Sequence, residues 1–302
     1  MRPIVIGIHG LQNKPSRFIL TRWWKRSLRE GLDRITDKRL GFRFVLVYWA
    51  HIIYSRPLRR FMRHASSPFY LNEPYRPGGS SKRDKPGLLR KSGLLIADVF
   101  ADLVFFNGKV KSPAEPLWNA LIRRYFKDLD VYYNRTLKRF PKGRKPAKQL
   151  IREQLCKKIR KYRKRKIMLI AHSMGSIVAY DVLNMLPMDC RVHTLVTIGS
   201  PLGFPGIQHR ILTEQKQSMG TRKRLRVPDA VEAAWYNFSD LRDTIAMDYR
   251  LGDDFKPNAR GVRVTDITVT NDYEIRGEAN PHKSFGYLRA PELAQVVLDF
   301  LS

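Results

Sequence analysis

Residues 167 to 176 read IMLIAHSMGS. Ile167, Met168, Leu169 and Ile170 form an apolar run of the kind that makes a buried strand. From Ile177 the pattern turns helical, through Val178, Tyr180, Asp181, Val182 and Leu183. Between the two lie Ala171, His172, Ser173, Met174, Gly175 and Ser176. A strand that turns sharply into a helix around a serine forces that serine into a strained backbone conformation. Small residues must then stand two before and two after it, here Ala171 and Gly175. The serine oxygen projects from the end of the sheet, and the helix points the positive end of its dipole at any oxyanion forming there. Ser173 is therefore the candidate nucleophile.

The motif is A-x-S-x-G, with alanine where glycine is commoner, and in this it resembles some small bacterial lipases. The order of the surrounding elements resembles α/β-hydrolases of the small lipase/esterase type over most of the chain, residues 52–145 excepted. That resemblance implies a triad in the order serine, acid, histidine. Three of the 7 histidines follow Ser173, namely His193, His209 and His282. Only His282 also follows a plausible acid. It sits in the loop Asn280-Pro281-His282-Lys283-Ser284-Phe285, between the strand-like stretch 261–270 and a final helix with Leu293, Val296, Val297, Phe300 and Leu301 at helical spacing. This is the slot in which the resemblance places the general base. The acid is expected after the short strand Ala234–Phe238. The resemblance favours Asp243, from an N-x-x-D-x-x-D-x-hydrophobic pattern that begins at Asn237, with Asp240 as its rival. One of the two could instead cap the following turn, as Asp often does. The acid would hold the imidazole in one tautomer and stabilise its charged form.

The same resemblance implies an oxyanion hole with one amide from the loop after the first core strand. Ile4–Ile8 reads as that strand, and His9-Gly10-Leu11-Gln12-Asn13 follows it. Gly10 would let the backbone turn in close, so that the amides of Leu11 and Met174 form the hole, with His9, Gly10 and Gly175 as supporting positions.

The expected fold class is α/β: an α/β-hydrolase fold with a mainly parallel six-stranded sheet, helices on both faces and an insertion after the second strand. The strands read Ile4–Ile8, Phe42–Tyr48, Lys166–Ile170, Thr194–Ile198, Ala234–Phe238 and Val262–Thr270. Set against the family it resembles, the chain is expected to open at the strand before the oxyanion loop, without the two leading antiparallel strands. Phe18, Trp23, Trp24, Leu28 and Leu32 mark the helix that joins the first two strands. Gly199-Ser200-Pro201 ends the fourth strand and should line the site, with Ser200 as a turn former. The expected organisation is one domain, 1–302, with a helical insertion at 52–145. The insertion carries a Gly/Ser/Pro-rich stretch, Pro74–Gly87, read as a mobile loop, and an apolar stretch, Gly93–Asn107, read as a buried helix or part of a lid. Leu117, Leu121, Ile122, Tyr125, Phe126, Leu129, Tyr132 and Tyr133 suggest a further amphipathic helix.

The chain has 302 residues, with 57 basic against 27 acidic, a formal charge of +30. The charge is densest from Lys138 to Lys166, where Leu150, Ile151, Leu155 and Ile159 share one helical face and Lys157, Lys158, Arg160 and Lys161 lie outside it. Such density fits solvated helix faces, an anionic membrane surface or, less well, nucleic acid. It leads directly into the nucleophile strand at its N-terminal end, the far end from Ser173. No apolar run is long enough to span a bilayer, and the first apolar residues belong to a core strand rather than a secretion signal. Two cysteines, Cys156 and Cys190, in separate elements make a reducing cytoplasm the default. The expected location is cytoplasmic, with the inner membrane surface as a peripheral contact. No cofactor and no metal are implied.

The expected function is thus a serine hydrolase acting on a carboxylic ester, with a small-molecule or lipid-like acyl ester as partner. Esterase, phospholipase, thioesterase, amidase and acyltransferase chemistries share such a triad. The competing expectation is a non-catalytic protein of the same fold that binds anionic membrane or nucleic acid through its basic surface.

Overall fold

The computed structural model describes residues 1–38, 40–58, 74–79, 127–138, 143–187, 190–219, 224–246, 248–275 and 277–302. The chain begins with β1 (Pro3–Ile8), α1 (Arg17–Asp33), β2 (Phe44–Val47) and a single turn, α2 (Ala50–Ile53). The end of the 52–145 insertion holds α3 (Lys127–Asn134) and a short hairpin of β3 (Thr136–Lys138) and β4 (Arg144–Pro146), and α4 (Ala147–Tyr162) follows. Then follow β5 (Lys166–His172), α5 (Met174–Leu183), β6 (Val192–Ile198), α6 (Pro205–Met219), β7 (Val231–Ser239) and α7 (Leu251–Asp254). The chain closes with β8 (Val264–Thr268), a two-residue hairpin (β9 Glu274–Ile275, β10 Glu278–Ala279), α8 (Ser284–Leu288) and α9 (Pro291–Leu301).

The six-stranded sheet runs β2-β1-β5-β6-β7-β8, and every neighbouring pair is parallel. Its central strands are apolar almost throughout because helices cover both faces. Alternate side chains of a strand point to opposite sides, and the core divides accordingly. Ile4, Ile6, Ile8, Ile167 and Leu169 pack with Ile151, Leu155 and Ile159 of α4 and Ile177 and Val178 of α5. Val5, Met168 and Ile170 pack with Trp24 and Leu28 of α1, Tyr287 of α8 and Leu293 and Val297 of α9.

All six expected strands form, with shifted ends. β8 starts at Val264 rather than Val262 because Val262 closes a turn, accepting from the backbone N–H of Asn258 and donating its own N–H to the Asn258 side chain. α1 forms as expected, but Phe18 is 76% exposed rather than part of the core. The buried stripe runs through Leu20, Trp24, Leu28 and Leu32, and a position two residues before Leu20 lies about 200° round the helix from it.

The 52–145 insertion lies largely outside the described residues, as does all of Gly93–Asn107. Of the suggested amphipathic helix, Leu129, Tyr132 and Tyr133 fall in α3, with Leu129 and Tyr132 buried; the earlier positions lie outside. The loop expected to be mobile is fastened over its described residues, 74–79. Tyr75 Oη and the Gly78 N–H both donate to Glu30 of α1, Arg289 donates to the Arg76 carbonyl, and Tyr273 Oη donates to the Pro74 carbonyl at 2.6 Å. No helix among the described residues is long and apolar enough to cross a membrane.

Candidate active site

Parallel strands that share one polarity bring their C-terminal ends to one edge of the sheet, where loops gather polar groups. β5 ends there in His172, and Ser173 turns directly into α5 with φ 53° and ψ −130°. A side chain rarely adopts that backbone, and holding it costs about 1–3 kcal/mol. Tight packing enforces it. A Cβ on Gly175 would stand 2.8 Å from the Ile8 carbonyl oxygen, and one on Gly10 would stand 2.6 Å from the Ser173 Cβ. Glycine at both positions is therefore a steric requirement of the turn, and the His9-Gly10 loop lies against the serine.

The side chains of Ser173, Asp243 and His282 meet. Ser173 Oγ lies 3.0 Å from His282 Nε2, and His282 Nδ1 lies 2.9 Å from both Asp243 oxygens. A carboxylate only accepts, so Nδ1 carries the proton it donates to Asp243. In the neutral ring Nε2 is then bare and faces the serine hydroxyl. All three residues are buried. Asp243 is held in turn by the Ile245 N–H at 3.0 Å and by Tyr287 Oη at 2.7 Å. Burial and the neighbouring Asp243 push the Tyr287 hydroxyl well above its ordinary range, so it stays protonated and donates.

Asp240 does not reach the histidine. Arg242 clamps its two oxygens at 3.0 and 2.7 Å, and the Asn271 N–H donates to it at 2.6 Å. Those bonds hold the turn that carries Asp243, the capping role open to one of the pair. Gly199 is tighter to the site than its motif suggested. It has φ 53°, and a Cβ there would stand 2.8 Å from Asp243 Oδ2 and 3.1 Å from His282 Nδ1. Ser200 accepts from the Leu202 N–H, as a turn former does.

His172 escaped the sequence reading as a functional position. Its Nε2 donates to the His282 carbonyl at 2.8 Å, and the two rings lie 4.9 Å apart. Burial, and then the His282 ring, drive its pKa well below the ordinary 6.5, so it stays neutral. The residue inside the A-x-S-x-G motif thus pins the loop that carries the histidine facing the serine. Its position next to Ser173 was the only signal available. Nothing in the sequence pointed to Tyr287, which lies 44 residues from its partner Asp243.

Leu11 and Met174, the expected oxyanion donors, are both buried beside this site. Met174 and Gly175 open α5, where N–H groups have no carbonyl one turn earlier to accept them. His9 stacks on Trp49 and bonds around its own loop: its Nε2 accepts from the Trp49 N–H at 3.1 Å, and its Nδ1 lies 2.8 Å from the Gly10 carbonyl. Burial pushes His9 down to about 3.

The sequence profile of the PGAP1-like alpha/beta domain matches residues 128–239, a span that includes Ser173. No match was found among curated proteins. Among solved structures, the chain is similar to a "Putative hydrolase from Agrobacterium vitis S4", with 10% identity over 51% of this chain and 68% of that one, at a TM-score of 0.29. A superposition this loose says nothing about chemistry. The all-parallel sheet and the strained serine between β5 and α5 give the chain an α/β-hydrolase fold, and over residues 128–239 it is similar to the PGAP1-like alpha/beta domain.

Proposed function

We propose that the protein is a serine hydrolase that cleaves carboxylic esters through an acyl-enzyme. The observation that carries this reading is the unbroken hydrogen-bond chain Ser173–His282–Asp243. Ser173 Oγ attacks the ester carbonyl while His282 Nε2 takes its proton. The negative charge on the carbonyl oxygen meets the N–H groups of Leu11 and Met174 and the positive end of α5. His282 then returns the proton to the leaving alkoxide. Water, activated by the same nitrogen, releases the acid and restores the serine. Asp243 stabilises the imidazolium at each transfer without taking the proton.

The His-Gly loop and the apolar content of the insertion favour a lipid-like acyl group. A screen of esters of graded chain length tests that preference, and a bias toward acetate over longer acyl chains would sink it. The exposed basic end of α4 is read as a peripheral contact of a cytoplasmic protein with an anionic membrane surface. The deciding experiment for the chemistry is labelling by a fluorophosphonate probe. Wild type should label, and Ser173→Ala should not; equal labelling of both removes Ser173 from the reaction.

A further inference from the structure

The loop that carries the Leu11 amide is strained and is tied from three sides. Gln12 has φ 69°, a backbone that only a few per cent of non-glycine residues adopt. The peptide before Leu11 is fixed at its oxygen. His9 Nε2 accepts the Trp49 N–H, so in the neutral ring Nδ1 carries the hydrogen and donates to the Gly10 carbonyl. The peptide after Leu11 is fixed at both ends. The Leu11 carbonyl accepts from Lys14 Nζ, and the Gln12 N–H donates to Asp128 Oδ2 at 2.5 Å. Asp128 is buried in α3, where its other oxygen accepts from Tyr54 Oη at 2.5 Å. Lys14 is buried as well, and the two opposite charges attract each other.

Burying this lysine and this carboxylate costs energy. Burial outweighs their mutual attraction: it draws Lys14 down to about 8 against the pull of Asp128, and it pushes Asp128 up. The two groups converge on the peptide that follows Leu11, while His9 holds the carbonyl of the Gly10–Leu11 peptide that bears the Leu11 N–H, so Leu11 is fixed from both sides.

We infer that Lys14 and Asp128 are positioning residues that keep the Leu11 N–H aimed into the oxyanion hole: by clamping the Leu11–Gln12 peptide they hold Leu11 from its C-terminal side against the Gly10–Leu11 peptide that His9 fixes. Asp128 stands where the chain returns from residues 80–126, so the end of the insertion is built into the hole. The inference rests on Ser173 being the acylated nucleophile.

The test uses the full chain as wild type, Asp128→Asn, Lys14→Met and Tyr54→Phe. Two quantities are measured: kcat and KM on p-nitrophenyl butyrate, and the inhibition constant of an alkyl trifluoromethyl ketone. Ser173 Oγ adds to that ketone's carbonyl carbon, the proton moves to His282, and the carbonyl electron pair becomes an oxyanion that sits in the hole. Loss of one donor from such a hole costs about 10²- to 10³-fold, and a misaimed donor forfeits part of that. Asp128→Asn and Lys14→Met should each lower kcat and ketone affinity together by about ten- to a hundredfold, with KM nearly unchanged. A merely structural role would lower the melting temperature and leave kcat and ketone affinity at their wild-type values, which overturns the inference. Should Asp128→Asn not fold, Tyr54→Phe frees one Asp128 oxygen without touching the loop. It should give a smaller loss in the same two quantities, and no loss overturns the inference equally. A wild type that resists fluorophosphonate removes the nucleophile itself. A wild type that labels, beside variants with unaltered ketone affinity, removes only the clamp.

Discussion

The two ends of the sheet handle polar groups in opposite ways. At the C-terminal end His9, His172, Ser173, Asp243 and His282 are all buried, and each is tied to named partners. At the N-terminal end, where α4 hands over to β5, Lys157, Arg160, Lys161, Arg163 and Lys164 stand exposed. Burial makes a polar group costly unless its partners are in place, so the first end demands exact geometry. Exposure makes each charge cheap and replaceable, so at the second only the sum of charge counts. Lys145, Lys148 and Arg152, earlier along the same basic stretch, show the boundary between the two regimes. They are engaged with Glu153, Glu214 and Asp181, which leaves the outward field to the C-terminal part of α4.

If that contrast is right, single substitutions at the buried end are severe. The largest effect belongs to Ser173→Ala, which should lower ester turnover by about 10⁴-fold or more while the melting temperature holds. Wild-type turnover by the purified variant would end the esterase reading.

Next in size is the pair of aspartates. Asp243→Asn removes the charge and puts an N–H donor where one acceptor oxygen stood, so it no longer fixes the His282 tautomer and should lower kcat by about 10²- to 10⁴-fold with little change in KM. Asp240→Asn disturbs a turn clamped by Arg242 and Asn271, so its loss should appear mainly as stability, about 1–3 kcal/mol. The reverse ranking in a kinetic comparison would move the acid to Asp240.

How much of this end could be read from the chain follows from how local each feature is. Ser173 was legible because a strand, a turn and a helix within some twenty residues leave a pattern. His282 and Asp243 were legible through their order and their place after strands. The strands of the sheet were legible for the same reason, each leaving its own local apolar run. Tyr287, His172 and Asp128 were not legible as functional positions, since each acts on a residue of another element. No spacing rule records such a contact. Phe18 shows the converse failure: an aromatic beside an apolar stripe looks like core until the helix angle is counted.

A pH effect on stability comes third. His9 is neutral in the folded protein down to about pH 3, because burial opposes its charge, but takes up a proton near its ordinary 6.5 once unfolded. His172 is lowered for the same first reason. Between pH 6.5 and about 3 the unfolded chain therefore binds more protons than the folded one. Stability is full above that window and falls as pH drops through it, by up to about 1.4 kcal/mol per pH unit for His9. Urea titrations across the range measure the slope. His9→Gln should flatten it, and an unaltered slope would mean that buried histidines do not govern the acid side.

The smallest effect on catalysis should come from the largest change in charge. Lys157, Lys158, Arg160 and Lys161 lie on α4 at the end of the sheet remote from Ser173. Lys158 is half-buried near Arg17, and its pKa is lowered by burial and then by that neighbour, so it should contribute less than the three exposed groups. Each basic residue near an anionic surface is worth about 1 kcal/mol, and salt screens it over about 10 Å at 0.1 M. Wild type should therefore sediment with phosphatidylserine vesicles at low salt, should not sediment with neutral ones, and should come off as salt rises. Reversing all four charges to glutamate should abolish sedimentation and leave turnover of a soluble ester at its wild-type value, since no buried hydrogen bond changes at the other end. Vesicle binding unmoved by the reversal would take the contact away from α4. A loss of turnover would mean that the two ends are not independent, and tighter binding to nucleic acid than to vesicles would give the basic surface a different partner.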